Sequence, residues 1–153
     1  IFIWKHINKL VLWHLTEYRT IQTIKFTTIK RNTFKAHERL KSRKLAQQLF
    51  EQGKPIWDLY PIRLIYLPCD KNNITCHQVL FSVPKKKVKH AVDRNAIKRK
   101  IKEAYRLNKH LLPNSDTHFL LAYVYISSQQ HCDFSTIQEQ VVKSMNQLTK
   151  LSK

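Results

Sequence analysis

The chain has 153 residues, a formal charge of +18, 42% hydrophobic residues, one glycine and three cysteines. That length predicts one domain with a real core, and that charge opposes compaction unless an anion is bound, nucleic acid being the first candidate and an acidic membrane surface the second. The lone Gly53 excludes a glycine-rich phosphate cradle and argues against an ATP- or NAD-dependent enzyme, no apolar run approaches the roughly 20 residues of a membrane-spanning helix, and Cys69, Cys76 and Cys132, without a CxxC pair, read as reduced thiols rather than a zinc site even with His77 and His131 adjacent.

Residues 1–32 hold a single acid, Glu17, among many Ile, Thr, Lys and aromatic residues. They read as an N-terminal extension, disordered or foreign to the mature protein. Charges scattered through the apolar part argue against a secretory signal. Residues 33–153 are expected to form the domain. Ser42 as N-cap, the apolar face of Leu45, Ala46, Leu49 and Phe50, and Gly53 as a C′ residue with Pro55 behind it predict a helix of about three turns. IRLIYLP, from Ile62, alternates as a strand, with Ile62, Leu64 and Tyr66 on one face and Arg63 and Ile65 on the other. DKNNIT is a turn signal, and CHQVLFSV is expected to pair with the preceding strand as a hairpin.

The segment from Pro84 to His110, PKKKVKHAVDRNAIKRKIKEAYRLNKH, holds only two acids, Asp93 and Glu103. After Asp93 the pattern becomes helical. Ile97, Ile101, Ala104 and Tyr105 make an apolar stripe, and Arg94, Lys98, Lys102 and Arg106 recur every fourth residue as a cationic one. Like charges at that spacing cost a helix about 0.2–0.5 kcal/mol per pair. A polyanion that neutralises them, RNA phosphate above all, explains why the sequence tolerates the repulsion. A merely solvated face usually mixes signs. Asn95 in the first turn adds a donor suited to phosphate or a ribose hydroxyl.

PNSD, from Pro113, breaks the chain. HFLLAYVYIS then suits a buried central strand. Asp133 or Ser135 can cap a last helix whose apolar positions are Ile137, Val141, Met145 and Leu148. The order predicts an α+β fold, an α-β sandwich in which a small, mainly antiparallel sheet packs against about three helices.

Three segments in this order, ERLKSRKLAQQLFEQG, VLFSVPKKKVKHAV and RNAIKRKIKEAYR, resemble the protein component of bacterial ribonuclease P, the RNA-based enzyme that trims the 5′ leader of precursor tRNA. The last segment is the most specific. The resemblance spans from Thr33 to near the end. It implies a left-handed βαβ crossover, a hand opposite to the usual one that nothing in the residue pattern itself shows. It assigns RNA contact to Lys85, Lys86, Arg94, Asn95, Lys98, Arg99, Lys102 and Arg106. It also implies a cleft between the first helix and the sheet for the single-stranded leader, where Phe50 matches a cleft aromatic and Tyr66 and Tyr60 are strand-side candidates. Two departures stand out. Ala46 occupies a position often aromatic in the family, and the KKKVKHAV link is one residue longer than the family's and lacks its glycine.

The function so implied is that of the protein subunit of a cytoplasmic endoribonuclease whose RNA carries the chemistry. Its partners are the catalytic RNA and precursor tRNA, with no membrane and no small-molecule cofactor. Mg²⁺ is held mainly by RNA, and the polypeptide itself has no catalytic or metal-binding residue. Two alternatives stand beside it. One is a non-catalytic RNA-binding protein of the ribosomal or RNA-chaperone type. The other is a stand-alone nuclease using His77, His118 and His131 as acid and base.

Overall fold

The Ser42 hydroxyl accepts a hydrogen bond from the Leu45 backbone N–H at 3.4 Å and so opens helix α1, Arg43–Gln52. Leu49 is its fully buried residue, with Leu45 and Ala46 half-buried beside it. The helix ends at Gly53, as the spacing predicted, but not for the conformational reason that usually favours glycine there. Its φ of −70° is ordinary backbone. What the position needs is space, because a Cβ would collide with the Leu49 carbonyl oxygen and lie 2.6 Å from Ile65 Cγ2.

The computed structural model describes residues 32–70, 74–113 and 117–151. Residues 1–31 lie outside the described residues, and with them the expected N-terminal extension. After α1 come strands β1, Lys54–Ile56, β2, Ile62–Asp70, and β3, Gln78–Ser82; helix α2, Ala91–Asn108; strand β4, Thr117–Tyr125; and helix α3, Phe134–Leu151. Short 3-10 turns at Ala36–Glu38 and Lys109–Leu111 precede α1 and follow α2.

The four strands lie in the order β1-β2-β4-β3. β2 runs antiparallel to both β1 and β4, and β3 runs parallel to β4. The expected hairpin of β2 with β3 is therefore incorrect: β4 lies between them. The reason is burial. From Phe119 to Tyr123 every β4 residue is buried, and a strand apolar on both faces belongs at the centre of a sheet. The parallel β3–β4 pair needs a long crossover, which α2 supplies. β1 was not anticipated; it is three residues long and contains Pro55, which suits only an edge strand.

Period-two alternation sorts the sheet into two faces. Ile62, Leu64, Val79, Phe119, Leu121, Tyr123 and Tyr125 pack with Ile97, Ile101, Ala104 and Tyr105 of α2 and Ile137, Val141, Met145 and Leu148 of α3. Both apolar stripes read from the sequence are thus core. On the opposite face Ile65, Leu67, Leu80, Leu120, Ala122 and Val124 pack with Leu49, Leu45 and Ala46 of α1. One helix covers one face and two cover the other, which is the α+β sandwich expected. The buried Tyr123 hydroxyl is satisfied by Ser144 Oγ at 2.9 Å, and Ser144 in turn donates to the Val141 carbonyl at 2.6 Å.

Candidate nucleic-acid interface

The cationic approach to α2 is a turn held by its own backbone. The Pro84 carbonyl accepts from the N–H groups of Lys87 at 3.0 Å and Val88 at 3.2 Å. Val88 is fully buried and anchors the link, which leaves Lys85, Lys86 and Lys87 exposed. No described residue has a positive φ, so the link closes without a glycine. The helix starts at Ala91 with His90 as N-cap, slightly before the helical pattern becomes visible in sequence.

The cations of α2 divide by what they touch. Arg94 Nη1 turns back onto the link and donates to the carbonyls of Val88 at 3.1 Å and Lys89 at 2.6 Å. Lys100 donates to the Cys132 carbonyl at 2.7 Å, tying α2 to the approach of α3. Arg106 grips Glu103 through two nitrogens, at 2.9 and 2.6 Å. That pairing holds the Glu103 carboxyl below the usual carboxylate range, the hydrogen bond from Arg106 being the main cause. Lys109, just past the helix, binds Glu38 at 2.6 Å and the Thr33 carbonyl at 2.7 Å. Among the described residues, the side chains of Asn95, Lys98 and Arg99 have no such protein partner, and all three are exposed.

Asn95, Lys98, Arg99 and Lys102 share one groove of about 570 Å³ with Phe34, Arg39, Leu40, Val79, Leu80 and Phe81. It runs along the outer edge of β3. Lys102 Nζ lies 5.5 Å and Arg39 Cζ 5.4 Å from the centre of the Phe34 ring, within cation–π range. Of the eight residues assigned to RNA, four therefore line one groove, Lys85 and Lys86 stand on the adjoining turn, and Arg94 and Arg106 are engaged within the protein. Phe34, Arg39 and Phe81 were not anticipated. Phe34 sits alone in a polar stretch, with no periodicity to mark it.

The cleft candidates separate. Phe50 on α1 is half exposed. Tyr66 packs with the core on the other face of the sheet, 6.3 Å edge-on from Phe119. The two do not share a cleft, because Tyr66 is in phase with Ile62 and Leu64 while α1 covers the alternate residues. Tyr60 is exposed and its hydroxyl meets Ser127 Oγ at 2.8 Å. The β2 residue in phase with Ile65 is Arg63, whose guanidinium lies 4.2 Å from the centre of the Trp57 ring. This stacked pair went unnoticed in the sequence, because Trp57 belongs to the unforeseen edge region.

Of the histidines proposed as acid and base, His77 is held within the fold. His77 Nδ1 accepts from the Phe119 N–H at 3.0 Å and Nε2 faces the Pro113 carbonyl at 3.1 Å, so Nε2 carries the proton. Burial, aided by nearby His118, holds its pKa below the ordinary value of 6.5. His131 is exposed on the loop before α3, and Cys69, Cys76 and Cys132 form no disulfide with one another.

These features define a small α+β protein with a cationic groove between its central helix and the edge of its sheet, lined by no described acid. A sequence model of the ribonuclease P family matches residues 34–149. The ribonuclease P protein component of Porphyromonas gingivalis (strain W83) is 35% identical over 112 residues, spanning 71% of this chain and 80% of the relative. That of Chlorobium phaeobacteroides is 32% identical over 130 residues, spanning 76% and 88%. The RNase P protein of Thermotoga maritima has a similar fold, with a TM-score of 0.58 at 22% identity over 72% of this chain and 96% of that one. The RNase P protein of Staphylococcus aureus gives 0.57 at 20% identity over 76% and 98%. The chain belongs to the ribonuclease P protein family, and its work lies in tRNA processing as part of an endoribonuclease.

Proposed function

We propose that this polypeptide binds the catalytic RNA of ribonuclease P through the groove and turn of α2, while the RNA performs the cleavage that removes the 5′ leader of precursor tRNA. The observation that carries the reading is the division of the α2 cations. Four positively charged or polar side chains from one helix face, Asn95, Lys98, Arg99 and Lys102, converge on a groove that no described acid lines. Each Lys or Arg set against a phosphate releases counterions and favours RNA. Positioning of substrate and RNA subunit then contributes through orientation rather than bond making.

Mg²⁺ asks for several oxygen ligands. Among the described residues no three His, Cys, Asp or Glu side chains are grouped to hold a metal. The described residues do not offer such a set, and we assign the ion to the RNA. The face of the sheet under α1, with Phe50 exposed on the helix, is our candidate for the single-stranded leader, since unstacked bases stack on aromatic rings. No described helix is long and apolar enough to cross a membrane.

The test is reconstitution. At a Mg²⁺ concentration too low for a bacterial ribonuclease P RNA to act alone, adding this chain should restore cleavage of precursor tRNA at the mature 5′ end. The chain without RNA should leave the substrate intact. Cleavage by the chain alone would overturn the division of labour, and failure to stimulate the RNA would overturn the assignment.

A further inference from the structure

β3 is an edge strand, and its outer edge is only partly covered. The Leu40 N–H donates to the Val79 carbonyl at 3.0 Å, next to a single parallel bridge between Arg39 and Val79. Backbone groups alternate along a strand, so Phe81, two residues on, turns its N–H and C=O the same way as Val79. Among the described residues no segment pairs with it there. This open stretch of edge lies in the groove that Asn95, Lys98, Arg99 and Lys102 overlook.

The groove has a fixed aromatic wall. Phe34 meets Phe81 and Tyr105 edge-on, each at 5.8 Å between ring centres, and Phe81 stacks on Tyr123 at 6.1 Å. Tyr105 and Tyr123 are buried, so the wall is anchored in the core and does not have to be ordered on binding. Its half-buried outer members, Phe34 and Phe81, are the ones that line the groove. A volume of about 570 Å³ lies within the range of small-molecule sites. A phosphate backbone alone would need the cations but not the aromatic wall or the edge amide.

We infer that this groove takes one unstacked nucleobase of the partner RNA, which packs against Phe34 and Phe81 and is hydrogen-bonded by Asn95 and the free backbone edge at Phe81, with Lys98, Arg99 and Lys102 on its flanking phosphates. The inference rests on the RNA-binding reading above and adds to it a base-reading subsite at the outer edge of β3. Aromatic wall, amide and open strand edge are the elements by which single-stranded RNA is distinguished from a helix.

The experiment measures binding of a bacterial ribonuclease P RNA transcript across a salt series. Asn95→Ala and Phe34→Leu should each weaken binding roughly tenfold, as expected for one lost base contact, with the salt dependence of the unaltered chain. Lys98→Ala should instead lower that dependence. With Phe34 replaced by p-azidophenylalanine, photocrosslinking should mark one unpaired nucleotide. Unaltered affinity for Asn95→Ala, or crosslinks spread over paired segments, overturns the subsite. If only Lys98→Ala and Arg99→Ala weaken binding, the subsite fails while the RNA-binding reading stands. If all four variants bind normally, that reading fails as well. Should Phe34→Leu lower the melting temperature, Asn95→Ala decides alone, because its side chain is exposed.

Discussion

Two arginines five residues apart on α2 do different work. Arg94 spans two backbone carbonyls of the link, whereas Arg99 is exposed in the groove. Arg94→Ala should lower stability by about 1–2 kcal/mol, the scale of charged hydrogen bonds that are partly open to water, seen as a lower melting temperature. Arg99→Ala should leave melting unchanged and reduce the slope of log affinity for RNA against log salt by about 0.7–0.9. Phe50, half exposed, should cost little stability as Phe50→Ala, but the affinity ratio of precursor to mature tRNA should fall; an unchanged ratio removes it from the leader site. His77 gives a pH signature. Its folded pKa lies below 6.5, so the unfolded chain binds the extra proton first. Its contribution is complete above about pH 6.5 and is lost as pH falls through the folded value. Denaturant titrations from pH 7.5 to 5 should show this loss, and His77→Gln should flatten it.

Within α1 and β2, the contact that sets their spacing is Gly53 against Leu49 and Ile65. Gly53→Ala introduces a methyl group with no room between a backbone carbonyl and a core side chain. It should destabilise by about 1–3 kcal/mol, as overpacking does, despite the ordinary φ. At this φ the backbone conformation alone predicts no loss on Gly53→Ala, so an unfolding free energy that does not fall removes the steric explanation. α2 is the element whose two sides were both legible. Its apolar stripe at Ile97, Ile101, Ala104 and Tyr105 is buried. Its cationic stripe is not one surface, however. Arg94 and Arg106 at the two ends find acceptors within the protein, and only the middle of the stripe, with Asn95 and Arg99, faces the groove.

For the molecule as a whole, a charge of +18 is a standing destabilisation that a bound anion relieves. Sulfate should raise the melting temperature more than chloride at equal ionic strength. Equal effects of the two salts would show general screening rather than bound anions. The layered fold concentrates this charge usefully. With one helix on one face and two on the other, the sheet's outer edge at β3 is left beside α2, and that adjacency makes the groove.

By itself the sequence determined the helices, the alternation of β2, the buried character of β4 and the basic nature of α2, because periodicity and charge are local properties. Tertiary structure alone decided that β3 joins β4 rather than β2, that Tyr66 turns away from α1, and which cations remain free. Strand partners and side-chain acceptors are distant in sequence: Lys109 meets Glu38, Lys100 meets Cys132, and Phe34 meets Phe81 and Tyr105. No spacing rule encodes such encounters. They follow from burying β4 on both faces, which places β3 and its open edge where α2 can overlook it.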